Sequence, residues 1–138
     1  MSAQDEQAVS KIVRELENGW NAADGAAFAR PFGDDSDFVT IRGEHFRTRD
    51  VIGKGHQAIF DTIYKGSVVA LHLDGLRTIA PSVLLAHVKS VLQVPSGPLA
   101  GELRALFSLV LTKDQSDWRI AALHNTLVAA PDGHRPRP

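Results

Sequence analysis

Apolar residues change their spacing once along this chain, and the change predicts helices in its first half and strands in its second. Over residues 4–20 they recur with the period of an α-helix, which places them on one face. A second stripe with this period predicts a helix that begins after a Thr48 N-cap and runs to about Tyr64. The two stripes are Val9, Ile12, Val13, Leu16 and Trp20, and Ile52, His56, Ile59, Phe60 and Ile63.

Shorter elements are predicted between these two helices. Asp24 is suited to cap a short helix that contains Phe28, because a carboxylate can accept from the free N–H groups of a first turn. The following residues indicate a turn at 33–36, a short strand at 37–41 and its return strand at 45–46.

From residue 67 onward the pattern is that of long β-strands. Four apolar runs, at 67–79, 83–94, 102–112 and 118–128, are separated by proline, glycine and charged turn residues. Helices followed by a series of antiparallel strands are typical of an α+β fold, and strands of this length twist and curl. We therefore predict a cone-shaped, curved antiparallel sheet wrapped around the N-terminal helices, with a pocket on its concave side.

Length and composition restrict the partners and the location. The 138 residues fit a single domain, which we place at 1–130, followed by a flexible, proline-rich tail at 131–138. Because 15 Lys and Arg residues balance 16 Asp and Glu residues, we expect binding to neither nucleic acid nor a membrane surface. The chain has no cysteine, no signal-peptide pattern and no membrane-spanning apolar run, so we expect a cytoplasmic protein.

Two segments carry a family resemblance. The first, WNAADGAAFARPFGDDSDFVTIRGEHFRTRDVIGKGHQAIF at 20–60, resembles the opening of nuclear-transport-factor-2-like domains, which include SnoaL-like and ketosteroid-isomerase-like proteins. The second, FSLVLTKDQSDWRIAALHNT at 107–126, is most similar to the SgcJ/EcaC group of that superfamily. The resemblance implies a conical α+β barrel with a deep pocket, commonly a homodimer. It implies no particular reaction, because this fold hosts isomerases, cyclases, dehydratases and non-catalytic modules.

The resemblance also allows one mechanism to be tested. Steroid isomerases use a carboxylate base on the first strand and a tyrosine donor on the first helix. Alignment with them puts Thr40 at the base position and Leu16 at the donor position. Threonine is no base at neutral pH, and leucine donates no hydrogen bond, so isomerase chemistry by that mechanism is disfavoured.

Three polar residues are candidates for chemistry. His56 lies in an apolar helical stripe, where a histidine is either a core residue bonded to a neighbour or a pocket acid–base group. Arg104 begins a long strand and either binds an anionic group or lies in solvent. His124 and Asn125 interrupt the apolar last strand, and because strand side chains alternate, only one of them faces the pocket. The candidate catalytic residues are His56, Arg104 and His124.

The predicted ligand-binding residues follow from stripes and faces. Trp20 and Phe60 lie on the buried stripes of their helices, and Phe38 shares one face of the first strand with Thr40. We expect that face to be the inner one, because the resemblance aligns Thr40 with a catalytic base. The full set is Trp20, Phe38, Thr40, Phe60, Leu106 and Asn125.

Several functions fit such a pocket. We predict a SnoaL-like protein that binds an apolar, aromatic or polyketide-like molecule, either as an acid–base enzyme with isomerase-, cyclase- or dehydratase-like chemistry or as an auxiliary protein. The alternatives are a non-catalytic carrier or sensor and a dimeric interaction module. The histidines lack the HxH and HExxH spacings, and the chain lacks the GxGxxG, P-loop and GxSxG motifs. We therefore expect no metal and no nucleotide cofactor.

The predicted strand at 83–94 has apolar residues on both faces, which predicts a homodimer through the convex face of the sheet. A monomer would leave one of these faces exposed to water. Analytical ultracentrifugation should find a species of twice the 15.0 kDa chain mass at micromolar concentration. Sedimentation of a 15.0 kDa species alone would contradict the prediction.

Overall fold

The computed structural model describes residues 1–129, and the tail predicted at 131–138 lies outside them. The predicted α+β fold with N-terminal helices and a curved sheet is confirmed. The helices are α1 (Ala3–Asn21), α2 (Gly25–Ala29) and α3 (Arg49–Phe60). The strands are β1 (Phe32–Val39), β2 (His45–Arg47), β3 (Val68–Ala80), β4 (Val83–Val94), β5 (Gly101–Asp114) and β6 (Asp117–Leu127).

Side-chain caps define where the helices begin. Ser2 and Asp5 form a reciprocal capping box at α1, in which each side chain accepts from the backbone N–H of the other. The Asp24 carboxylate accepts from a backbone N–H of α2, and the Thr48 hydroxyl accepts from the N–H of Val51 in α3. Both caps predicted from the sequence are confirmed.

Helix α3 ends earlier than predicted. It stops at Phe60, and the chain continues through turns to Gly66, whose φ of +76° lies in the left-handed region that favours glycine. The apolar spacing continued to Ile63 and Tyr64 because these residues still pack inward, against a smaller cluster with Val69. Periodicity therefore did not mark the end of the helix.

The strands form one curved, unclosed sheet in the order β2-β1-β6-β5-β4-β3. Neighbouring strands are antiparallel, except that β1 and β6 are parallel. Strand β1 begins at Phe32, although residues 33–36 were predicted to be a turn. Its register with β6 shifts between Phe32 and Asp37, and the Ser36 hydroxyl donates to the carbonyl of Gly33 at 2.8 Å. The turn-like composition thus belongs to an irregular stretch within the strand.

The sheet has an inner face, which packs against the helices, and an outer face. Alternate residues of the strands contribute the inner face, and they join the apolar stripes of α1 and α3 in one core. Buried members on the sheet side include Phe32, Phe38, Leu84, Ala86, Val88, Phe107, Leu109, Leu111, Ile120 and Leu123. On the outer face, Leu106 and Val110 of β5 remain more than a third exposed.

Polar side chains of α1 form hydrogen bonds with backbone groups of the edge strand β3. The Asn21 amide donates to the carbonyl of Val69 at 3.0 Å and accepts from its N–H at 2.8 Å. Glu17 accepts from the N–H of Leu71 at 2.8 Å. An unpaired strand edge favours pairing with other chains, and these bonds satisfy three backbone groups near the start of β3 and hold α1 against the sheet.

None of the helices within residues 1–129 combines the length and the apolar character needed to cross a membrane.

Gly19 marks a close contact between α1 and α2 that can be tested by substitution. A Cβ atom on Gly19 would lie 2.5 Å from the backbone nitrogen of Phe28. We expect Gly19→Ala to lower the free energy of unfolding by about 1–3 kcal/mol, because overpacking outweighs the better helix propensity of alanine. Urea denaturation measures this, with Gly75→Ala as the control, since a Cβ there meets no atom within 4 Å. Equal stability of both variants would contradict the contact.

Candidate functional site

A pocket opens between the helices and the inner face of the sheet. Its empty space is about 820 Å³, including the part open to solvent at the mouth. The lining is mostly apolar and comes from the three helices, the turn between β1 and β2, and the inner-facing residues of the sheet. The predicted pocket on the concave side is therefore present.

Aromatic rings surround His56 at the inner end of this pocket. The imidazole is stacked on Phe28 with 4.3 Å between ring centroids, and Phe38 meets it edge-on at 4.6 Å. Trp20 and Phe46 lie about 6 Å from it, at 6.1 and 6.3 Å. The side chain is 2% exposed, so it lies in an apolar environment from which water is largely excluded.

The protonation state of His56 follows from its contacts. Its Nδ1 lies 2.8 Å from the carbonyl oxygen of Ile52, one turn earlier in α3. A carbonyl can only accept, so Nδ1 carries the proton and Nε2 has a free lone pair. Burial lowers the pKa of His56 to about 4, although the bond to Ile52 acts in the opposite direction. At neutral pH the imidazole is therefore uncharged.

Trp20 holds one wall of the pocket. Its indole Nε1 donates to the hydroxyl of Ser67 at 2.9 Å, which fixes the ring between α1 and the start of β3. Phe60 was expected to line the pocket, but that prediction is wrong. Its ring packs edge-on against Trp20 at 4.8 Å within the core, while Ile59 and Ile63 form the wall on this side.

Asn125 is the residue of the last strand that faces the pocket. It pairs with the buried Phe107 on the inner face, whereas His124 pairs with Ser108 on the outer face and is exposed. Its Oδ1 atom is inaccessible to solvent and has no hydrogen-bond partner among the described residues. A buried acceptor without a partner costs about 1–3 kcal/mol, so the burial of this oxygen is unfavourable.

A β-bulge explains why the sequence left this choice open. Leu111 pairs with Ile120, but Val110 pairs with Ala122, so β6 contains one extra residue at Ala121. Trp118 and Ile120 face inward before the bulge. Beyond it the inward positions are Leu123 and Asn125 instead of residues 122 and 124.

The structure places three further candidates outside the pocket. Arg104 is exposed and forms an ion pair with Glu102 at 2.9 Å. Leu106 is 36% exposed and lies on the same outer face, as does His124. The prediction that Arg104 and Leu106 reach the pocket is wrong, because Leu103, Ala105 and Phe107 occupy the inward positions of β5. Of the two alternatives on β6, Asn125 faces the pocket and His124 does not.

Charged residues occur at the pocket mouth, in the turn between β1 and β2. Thr40 accepts through its hydroxyl from the backbone N–H groups of Arg42 and Glu44, which form an ion pair at 3.0 Å. Tyr64 lies within reach of their charges. Burial raises its pKa, and Glu44 adds to this effect while Arg42 opposes it. The phenol is therefore protonated and can donate a hydrogen bond.

The sequence placed part of this lining correctly and missed the rest. Trp20, Phe38, Thr40, His56 and Asn125 line the pocket, and their roles in binding stay predictions. Sequence reasoning missed Phe28, Phe46, Tyr64 and Ser90 as lining residues. A signal existed for Ser90, which is a lone polar residue in the inward series Leu84, Ala86, Val88, Ser90 and Leu92.

The protonation of His56 predicts how stability depends on pH. Between pH 6.5 and about 4 the unfolded chain binds more protons at this residue than the folded protein does. The free energy of unfolding should be highest above pH 6.5 and should fall by about 3 kcal/mol as the pH approaches 4. Urea denaturation across this interval measures it. His56→Gln should show a smaller fall, since the carboxylates titrate in both proteins, and an equal fall would contradict the assignment.

Comparison with known proteins identifies the fold of the chain. No family model matches the chain, and no curated protein matches it. Among solved structures, it is similar to a domain of unknown function with a cystatin-like fold from Nostoc punctiforme. The two are 29% identical, with a TM-score of 0.85, over 96% of this chain and 82% of the other.

Two further structures agree with this comparison. An uncharacterised cystatin-like protein from Caulobacter vibrioides is 29% identical, with a TM-score of 0.82, over 94% of this chain and 93% of its own. The hexachlorocyclohexane dehydrochlorinase LinA-type3 from Novosphingobium barchaimii is 8% identical, with a TM-score of 0.81, over 98% and 95%. The chain therefore has the cystatin-like, nuclear-transport-factor-2-like fold that its sequence resembles.

Proposed function

We propose that this protein binds a small, largely apolar, ring-containing molecule in the pocket around His56. The observation that carries the proposal is the lining itself. Aromatic side chains from α1, α2, β1 and β2 converge on one uncharged imidazole, and a few polar atoms stand among apolar walls. Pockets of this kind obtain affinity from apolar contact and orientation from a few hydrogen bonds.

Catalysis by proton transfer is the second candidate. The free Nε2 of His56 favours it, because an unprotonated imidazole can accept a proton from a bound molecule. A conjugate acid with a pKa of about 4 makes a weak base, however, and the Nδ1 partner is a backbone carbonyl instead of a carboxylate. The dehydrochlorinase neighbour supports an enzymatic use of the fold only by analogy. We therefore place ligand binding first.

Two finer assignments belong to the same proposal. The segment at 107–126 supports placement in the SgcJ/EcaC group of the superfamily. The exposed apolar residues Leu106 and Val110 support a homodimer through the outer face. In such a dimer the two pockets would open away from the shared surface, because the pocket lies on the inner face.

Ligand binding can be measured through Trp20, which lines the pocket, once the second tryptophan is removed. In Trp118→Phe, we expect 4-bromotoluene to quench the tryptophan emission saturably, because its heavy atom would lie against the indole. The control is Trp20→Phe, in which Trp118 reports from the contact between α1 and β6. Saturable quenching in the control alone, or in neither protein, would contradict the proposed function.

A further inference from the structure

The polar atoms inside the pocket differ in what they can bind, and this restricts the ligand. His56 offers only an acceptor, since the proton on Nδ1 is used in the bond to the Ile52 carbonyl. Its Nε2 has no partner among the described residues. The hydroxyls of Ser90 and Tyr64 can act in either direction, so they restrict the ligand less than His56 does.

The charges of the lining residues also restrict the ligand, because they disfavour an anion. Among the described lining residues, Arg42 and Glu44 are the charged ones, and they neutralise each other at the mouth. Around His56 the walls are aromatic and carry no charge. A carboxylate placed there would lose its hydration and would face the lone pair of Nε2 without a compensating cation.

Asn125 adds a second acceptor on the sheet side. Its Oδ1 lies buried without a donor. Because Oδ1 is inaccessible in this conformation, a ligand donor reaches it only if the amide turns, so Asn125 restricts the ligand less than His56 does. A molecule with a hydroxyl or N–H group can pair with either of these two acceptors.

We propose that the ligand is an electrically neutral, largely apolar molecule that carries a hydroxyl or N–H group, and that this group donates a hydrogen bond to Nε2 of His56. This inference rests on the proposed function and adds to it the polarity of the ligand. It distinguishes phenols and ring alcohols from ethers, hydrocarbons and carboxylates of the same shape.

The test is a matched series of two-ring probes. Isothermal titration calorimetry at pH 7.5 compares 2-naphthol, which has a donor, with 2-methoxynaphthalene, which only accepts, and with the anion 2-naphthoate. We expect 2-naphthol to bind at least about tenfold more tightly than either of the others, a factor that corresponds to about 1.4 kcal/mol. Equal or tighter binding of the ether or the anion overturns the inference and leaves the pocket standing. Binding of no probe overturns both proposals.

Substitutions test whether His56 is the residue that accepts the hydrogen bond from the ligand. In His56→Phe the preference for 2-naphthol over the ether should fall to less than about threefold, because the lone pair is gone. His124→Phe is the matched control, since His124 lies on the outer face, and it should keep the full preference. A preference that survives in His56→Phe but is lost in Asn125→Leu would overturn the assignment to His56.

A spectroscopic measurement on the unchanged protein covers the case in which His56→Phe does not fold. With 15N-labelled histidine, 2-naphthol should shift the Nε2 resonance of His56, while 2-methoxynaphthalene should leave it near its unbound position. A shift of equal size with both probes overturns the inference, because the ether has no proton to donate.

Discussion

The hydrogen bond from His56 to the carbonyl of Ile52 sets the chemical character of the pocket. It joins two residues of the same helix, so it needs no partner from another element. Once made, it fixes the tautomer, and the aromatic rings around it keep the imidazole uncharged. An imidazole that pointed Nδ1 at a carboxylate would be a stronger base and a cation at higher pH. The backbone partner gives a neutral acceptor.

The shape of the pocket depends on how α1 is held across the sheet. An edge strand as long as β3 is a liability, because its free backbone groups can pair with other chains. Here Glu17 and Asn21 occupy several of these groups, and Trp20 between them reaches Ser67. The same turn of α1 thus protects the edge and supplies a pocket wall. The contact that covers part of the strand edge therefore also positions a wall of the pocket.

The sequence predicted the elements better than the faces they present. Helical caps at Asp24 and Thr48 and the four long strands were correct, because local chemistry and turn residues decide them. The side-chain directions of β5 and β6 were wrong or undecided. Arg104 and Leu106 were assigned inward without a reference residue to fix the parity of β5, and the bulge at Ala121 is invisible in the composition of β6. The end of α3 was missed because residues beyond Phe60 keep packing inward.

The bulge in β6 also bears on how such a pocket changes during evolution. It is a single extra residue, and the polar residues that follow it are His124, Asn125 and Thr126 in immediate succession. Deletion of Ala121 would remove the bulge and leave Leu123 and Asn125 facing inward, whereas straightening β6 at its full length would turn His124 inward and Asn125 outward. Loss of the bulge at constant strand length would therefore exchange an amide for a second titratable group without altering the topology of the sheet. In this fold, strand register is a means of changing pocket chemistry that point substitution does not provide.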